Sequence, residues 1–306
     1  MTASRVPWRQ SLYHFCPPLS SRSSARLIST TPLHGSKAVD PSHIQSDEPA
    51  PYREIDSRWL STIKKRVAKC VTFGLQPHQS KQAGDVLQII ARDWRQLVAG
   101  SEGFLTGGDR RGLFCHNVVW GEMHIPGHVN NVAYVRYAET ARVNWTRNFG
   151  THIDPVHKQQ WLELIGSTAI GLILKSIKVD YKFPMTSPDK ITVYHKLSNP
   201  PPPISSAAST SYSAFHLDVL ILSEARQRPA ARCYEDIVTY DYRIGRKAGL
   251  PGFMLDQFRH TWELQERSKR HWSLRAQEIE DRVRELEMAS WDREDAVEDM
   301  GSAGGR

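Results

Sequence analysis

The sequence contains no apolar run long enough to cross a bilayer as a helix, because its longest, Ala169 to Leu174, is only six residues. Cysteine is scarce. The four present, Cys16, Cys70, Cys115 and Cys233, are widely spaced and form no C-x-x-C pair. That excludes a zinc module or a disulfide framework read from spacing, and a reducing compartment is the simplest reading. Cys70 and Cys115 are expected to be plain buried thiols. Residues 1 to 39 lack Asp and Glu altogether, yet carry Arg5, Arg9, Arg22, Arg26 and Lys37. The net charge is +7, and setting this segment aside removes +5 and leaves +2. The rest of the chain is therefore close to neutral. It has no aromatic-interleaved basic motif, so nucleic acid is not an expected partner.

What is present at the N-terminus has the composition of an organelle address. Residues 1 to 39 are rich in Arg and Ser, and Trp8, Leu12 and Phe15 recur at helical spacing beside Arg5 and Arg9. Arg26-Leu27-Ile28-Ser29 resembles a matrix-protease site. The expectation is a mitochondrial transit peptide over 1–39, with the matrix as destination.

Residues 40 to 109 read as a linker and a helical extension. Asp40 to Pro51 is polar and proline-punctuated. Asp56 and Ser57 are candidate caps. Trp59, Ile63, Val67 and Cys70 then mark one helical face, ended by Gly74 and Pro77. Leu87, Ile90, Trp94 and Leu97 mark a second helix, closed by Gly100. Two antiparallel helices are expected.

From residue 110 the pattern turns to strands. Phe114 to Met123 is β-rich, and Asn131 to Phe149 reads as a helix. Strand candidates follow at Ala169–Tyr181, Ile191–Leu197, Phe215–Leu222 and Cys233–Ile244. In the second of these, Ile191, Val193 and His195 alternate with Thr192, Tyr194 and Lys196. Short connections favour antiparallel pairing. The class is α+β. Pro200 to Pro203 cannot join a ladder and mark a loop insertion. From 247 to 306 the chain is a charged helical tail. It carries the seam Trp272, Ala276, Ile279, Val283 and Leu286, expected to lie on the domain or on a dimer mate.

The chemistry-bearing stretch runs from Val119 to Arg142. A strand ends in the turn Pro126-Gly127 and passes straight into a helix, with Asn130 as candidate N-cap. A helix start offers unpaired N–H groups that can polarise a carbonyl. Glu122, His124, His128, Asn130 and Asn131 gather there. From the residues alone the reaction stays open. Glu139 and Arg142 are spaced for a helix ion pair, and Tyr134 and Tyr137 for packing. Arg243, Arg246 and Lys247 are candidates to meet phosphates.

This stretch resembles the hotdog acyl-CoA thioesterases of the 4-hydroxybenzoyl-CoA thioesterase type. Their signature runs acid-x-Asp-x-x-Gly-His-Val-Asn-Asn, followed by Tyr, Glu and Arg along the helix. Here those places hold Glu122, His124, Gly127, His128, Val129, Asn130, Asn131, Tyr134 with Tyr137, Glu139 and Arg142. Phe183 to Asp189 resembles the family's strand-to-strand turn. Ala99 to Thr106 resembles fungal mitochondrial members. The resemblance covers about residues 55 to 246 and implies a hotdog fold at 110–246, an antiparallel sheet wrapped around a long central helix. It also implies a homodimer or dimer of dimers, an acyl-CoA substrate, and neither metal nor cofactor. The backbone N–H of Asn131 would polarise the thioester carbonyl. Gly127, His128, Asn130 and Tyr134 would line the substrate.

One position departs from the pattern. His124 stands where the family has its catalytic Asp. A His can take a proton from water but cannot form the anhydride of a carboxylate nucleophile. Three readings follow: water activation by His124 with Glu122, a shifted carboxylate at Glu122 or Glu139, or an inactive domain kept for acyl binding or assembly.

Overall fold

The protein is described by a computed structural model, covering residues 55–202 and 212–298. The expected transit segment 1–39, and residues 203–211 of the proline insertion, lie outside the described residues.

Two helices open the described chain, α1 (Trp59–Thr72) and α2 (Pro77–Ala99). Asp56 contributes to the first start: its carboxylate accepts from the Arg58 N–H, while Arg58 holds the cap position itself. Pro77 opens α2, where its missing N–H costs nothing. The buried face of α1 carries Ile63, Val67 and Cys70 as expected. On α2 the expected stripe holds at three positions and differs only at the first. Val86, Ile90, Trp94 and Leu97 are buried, whereas Leu87 is 40% exposed.

The C-terminal helix α5 (Gly252–Ala289) completes this core. Its seam residues Ala276, Ile279, Val283 and Leu286 are buried in one cluster with the apolar faces of α1 and α2, so three helices share a core. Trp59 Nε1 donates to Glu280 at 2.6 Å, and Arg66 Nε pairs with Glu287 at 2.7 Å. That pairing, with the bonds Arg66 donates, holds the Glu287 carboxyl below its ordinary range. Trp272 lies so close to Gly100 that a Cβ there would come within 2.4 Å of it. Within the basic run 267–271, Ser268 is turned inward and donates to the Gly100 and Phe104 carbonyls.

The sheet is antiparallel throughout. Its strands are β1 (Arg111–Val118), β2 (Ile170–Tyr181), β3 (Asp189–Leu197), β4 (Ala214–Ser223), β5 (Arg228–Asp241) and the short β6 (Arg246–Lys247). Their order is β1-β3-β4-β5-β2, with β6 on the end of β5. The two expected end strands are displaced. β1 stops at Val118 and gives way to a 3₁₀ turn at Trp120–Glu122. β5 begins at Arg228 and ends at Asp241, because the chain turns at Gly245 and returns as β6. Cys115 is half-exposed rather than buried. It sits at φ 47° inside a register shift between Leu113 and His116, and so belongs to a bulge.

The central helix α3 (Asn131–Asn148) lies across one face of this sheet. Ala138 and Ala141 face inward against Ile191, Val193, Val219 and Ile221. The approach to β1 is close: a Cβ on Gly112 would lie 2.3 Å from the Ala141 carbonyl oxygen, and Asn144 donates to the Gly112 carbonyl. Beyond α3 a short helix α4 (Lys158–Glu163) brings Trp161 to stack on Phe149, ring centroids 4.5 Å apart. The opposite face of the sheet, through Tyr194, Leu220 and Leu222, packs on the three-helix cluster. One face against a central helix, the other against added helices, is the α+β hotdog architecture with helical extensions.

One buried polar feature breaks the apolar inner face. Arg142 of α3 reaches Glu235 of β5 at 2.6 Å, not the spaced partner Glu139, which is exposed. His195 of β3 lies beside the same carboxylate, with Nε2 3.7 Å from its second oxygen. Both side chains are fully buried.

Candidate functional site

The site forms where β1 ends and α3 begins. Gly127 takes φ 83°, a conformation that disfavours side chains, and its N–H closes the turn onto the His124 carbonyl at 2.8 Å. A Cβ at Gly127 would meet nothing, so the constraint is conformational rather than steric. His124 N–H donates to the His128 carbonyl, and Met123 bridges Val129. Asn130 caps the helix as expected, its Oδ1 accepting from Val132 N–H at 3.1 Å.

The backbone donors at this corner can be followed one by one. Val129 N–H goes to the Met185 carbonyl, Asn130 N–H to the Glu122 carbonyl, Val132 N–H to the Asn130 side chain, and Ala133 N–H to the Asn130 carbonyl. Between Val129 and Ala133, the Asn131 N–H alone has no acceptor among the described residues, and Asn131 is exposed. It stands at the positive end of the α3 dipole. A carbonyl oxygen placed there would meet a free, fixed donor.

Two histidines flank that donor. His124 Nε2 and His128 Nδ1 are 2.9 Å apart, with the rings nearly perpendicular. His128 Nδ1 also lies 3.3 Å from the Val129 carbonyl. A carbonyl only accepts, so the partners favour the proton on His128 Nδ1. His124 Nε2 then contributes a lone pair to it, and His128 Nε2 holds an uncommitted lone pair. Both rings are half-buried.

Glu122 lies on the 3₁₀ turn. Its Oε2 accepts from Val119 N–H at 3.0 Å and from the Tyr137 hydroxyl at 2.7 Å. Burial and this carboxylate push the Tyr137 hydroxyl well above its ordinary range, so it stays a donor. Tyr134 is buried, with its oxygen 3.4 Å from the Met185 N–H it accepts from, and burial raises its hydroxyl too. Spacing suggested packing for these tyrosines. Burial agrees, and their hydroxyls also fix Glu122 and the Met185 turn. Tyr181, which the sequence did not single out, donates to the Asn131 carbonyl at 3.3 Å. Cys233 is inert, its buried thiol pushed up to about 12.

The structure thus brings together Glu122, His124, Gly127, His128, Asn130, Asn131 and Tyr134. It does not bring Arg243, Arg246 and Lys247 to them. The site adjoins the end of β2 where Tyr181 pairs with Ala231, while Asp241 pairs with Ile170 at the other end. The ten steps between Ala231 and Asp241 are roughly 33 Å of strand. Arg243 is also committed to Asp241, at 2.7 Å. Among the described residues no cluster of His, Cys, Asp and Glu could hold a metal ion, and no helix is long and apolar enough to cross a membrane.

Residues 118–258 match the thioesterase-like superfamily. The matched segment begins at the last residue of β1 and runs into α5, so it contains the whole corner. Solved structures similar to the chain include a Thermus thermophilus thioesterase complexed with coenzyme A and zinc. It is 22% identical, covers 52% of this chain and 98% of its own, and has a TM-score of 0.38. A Staphylococcus aureus hypothetical protein in complex with coenzyme A is 13% identical, covering 49% and 82% with a TM-score of 0.38. A hypothetical protein of Aquifex aeolicus is 20% identical, covering 46% and 94% with a TM-score of 0.35. No curated protein gives a match to this sequence.

Proposed function

We propose that the chain hydrolyses an acyl-CoA thioester, with the Asn131 N–H holding the thioester carbonyl and water attacking beside it. The observation that carries this is the free donor at Asn131, the first N–H of α3, flanked by the committed donors of Val129, Asn130, Val132 and Ala133. As the carbonyl oxygen gains charge, that N–H and the helix dipole stabilise it. The attacking water needs a base. His128 Nε2 has the uncommitted lone pair, and the cation formed there keeps its Nδ1–H on two acceptors, His124 Nε2 and the Val129 carbonyl. In this reading His124 orients His128 rather than receiving the proton itself. Glu122, tied by two donors, sets the polarity of the mouth.

Thiol release from short-, medium- and long-chain acyl-CoAs by the full chain is the direct test. Turnover is expected with at least one chain length. Silence across the panel, with activity appearing in His124→Asp, would replace hydrolysis by a retained groove for acyl binding or assembly.

A second copy completes the site in this proposal. Val119, Trp120, Ile125 and Val132 surround the corner and are exposed, Trp120 at 83%. An apolar surface of this kind is usually covered. The free edge of β2 lies beside it: among the described residues that strand pairs only with β5, and it ends at Tyr181. Sedimentation should give twice the chain mass. A monomer at assay concentrations would remove the second copy from the site.

The composition of residues 1–39 supports import into mitochondria, and N-terminal sequencing of the protein recovered from that organelle tests it.

A further inference from the structure

The turn that supports the site also lines a basic groove. Met185 ties the Phe183–Asp189 turn to the catalytic corner, through Val129 N–H and the Tyr134 hydroxyl. Phe183 and Pro184 of the same turn, with Ala225 and Arg226 of the β4–β5 hairpin, border two neighbouring hollows. The larger, about 630 Å³, adds Ser61 of α1 and Arg228. The smaller, about 230 Å³, adds Thr186, Pro188 and Asp189.

Two arginines here stand outside any ion pair of the described residues. The Arg228 guanidinium lies over the Phe183 ring at 4.2 Å, and Arg226 is exposed. Among the described residues neither guanidinium has a carboxylate partner. The acid on the rim, Asp189, is committed to the Ser223 hydroxyl and to the N–H groups of Lys190 and Ala225. Lys182, just before Phe183, is exposed as well. Arginine forks fit phosphate oxygens two at a time.

We propose that this groove takes the phosphate-bearing nucleotide end of the substrate, Arg226 and Arg228 pairing with its phosphate oxygens. The inference rests on the acyl-CoA reading of the corner and gives its coenzyme a place. A thioester on a long flexible arm, with phosphates at the far end, matches a free amide and a basic groove joined by one short turn. The groove replaces Arg243, Arg246 and Lys247, which sit at the other end of β5.

The test is titration of the full chain with adenosine 3′,5′-bisphosphate, followed by calorimetry, beside Arg226→Ala and Arg228→Lys. The wild type is expected to bind, with affinity falling about tenfold in Arg226→Ala, less in Arg228→Lys, and further as salt is raised. Equal affinity in wild type and Arg226→Ala, or no binding by the wild type, overturns the groove. Complete competition by inorganic phosphate at equal concentration overturns the nucleotide assignment in favour of a generic anion site. In turnover, Arg226→Ala should raise KM for acyl-CoA about tenfold at unchanged kcat, and leave an acyl-N-acetylcysteamine thioester unaffected. An equal rise for both substrates also counts against it. The titration needs no hydrolysis, so failure of the groove and failure of the thioesterase reading are seen separately.

Discussion

Replacing His128 with alanine lowers kcat for thioester hydrolysis by about 10²- to 10⁴-fold, the worth of a positioned general base. His124→Ala lowers it less. The difference follows from where the protons sit. The Val129 carbonyl near His128 Nδ1 can only accept, which puts the proton on that nitrogen and leaves Nε2 with the free lone pair. His124 Nε2, 2.9 Å from the same Nδ1, is spent on receiving that proton's hydrogen bond. Losing His124 removes one of two acceptors behind the base, whereas losing His128 removes the base. His124→Asp supplies a charged acceptor behind His128 and should keep more activity than His124→Ala. The readout is kcat at saturating acyl-CoA, with circular dichroism to show that each variant is folded. A larger loss in His124→Ala than in His128→Ala would return the base to His124. Unaltered rates in both would leave Glu122, whose second oxygen has no hydrogen bond among the described residues, as the remaining proton acceptor.

The site was legible in the sequence because it is local. Between Glu122 and Asn131 the turn glycine, the cap and the histidine pair all arise from contacts less than ten residues apart. Turn chemistry and capping depend on short-range geometry, which a linear reading can follow. What it could not follow was long-range. Leu87 fits the α2 spacing yet is exposed, while Val86 lies in the cluster that α2 shares with α5, far along the chain. Periodicity finds an apolar face but not the partner that decides its centre. Tyr181 meets Asn131 across 50 residues, and Arg142 meets Glu235 across 93. One signal did exist. Cys233, Glu235, Ile237 and Thr239 alternate along β5 on its buried face, so an acid in that series had to find a cation. The alternation of β3 likewise places His195 behind Ile191 and Val193 on the inner face, beside that carboxylate.

Glu235→Leu is expected to lower unfolding stability by about 3–5 kcal/mol, the cost of leaving a buried charge without its partner. Glu235 is fully buried, and the Arg142 side chain is only 12% exposed. Removing the carboxylate strands a guanidinium between α3 and β5, where water cannot replace what is lost. His195 is no replacement for the carboxylate, since an imidazole carries no negative charge to offset the guanidinium. The double variant Arg142→Met with Glu235→Leu removes both charges, and should recover most of the loss. Urea unfolding of the four proteins of the cycle measures this. A cost below about 1 kcal/mol for Glu235→Leu would mean that Arg142 swings out to solvent, and that the pair does not pin the helix. The consequence reaches the site because Arg142 and Asn131 share α3, three helical turns apart. The pair fixes the roll of α3 on the sheet, and with it the direction of the Asn131 N–H. Any single variant that remains folded should therefore lose kcat more than it alters KM, and the double variant should regain stability before it regains rate.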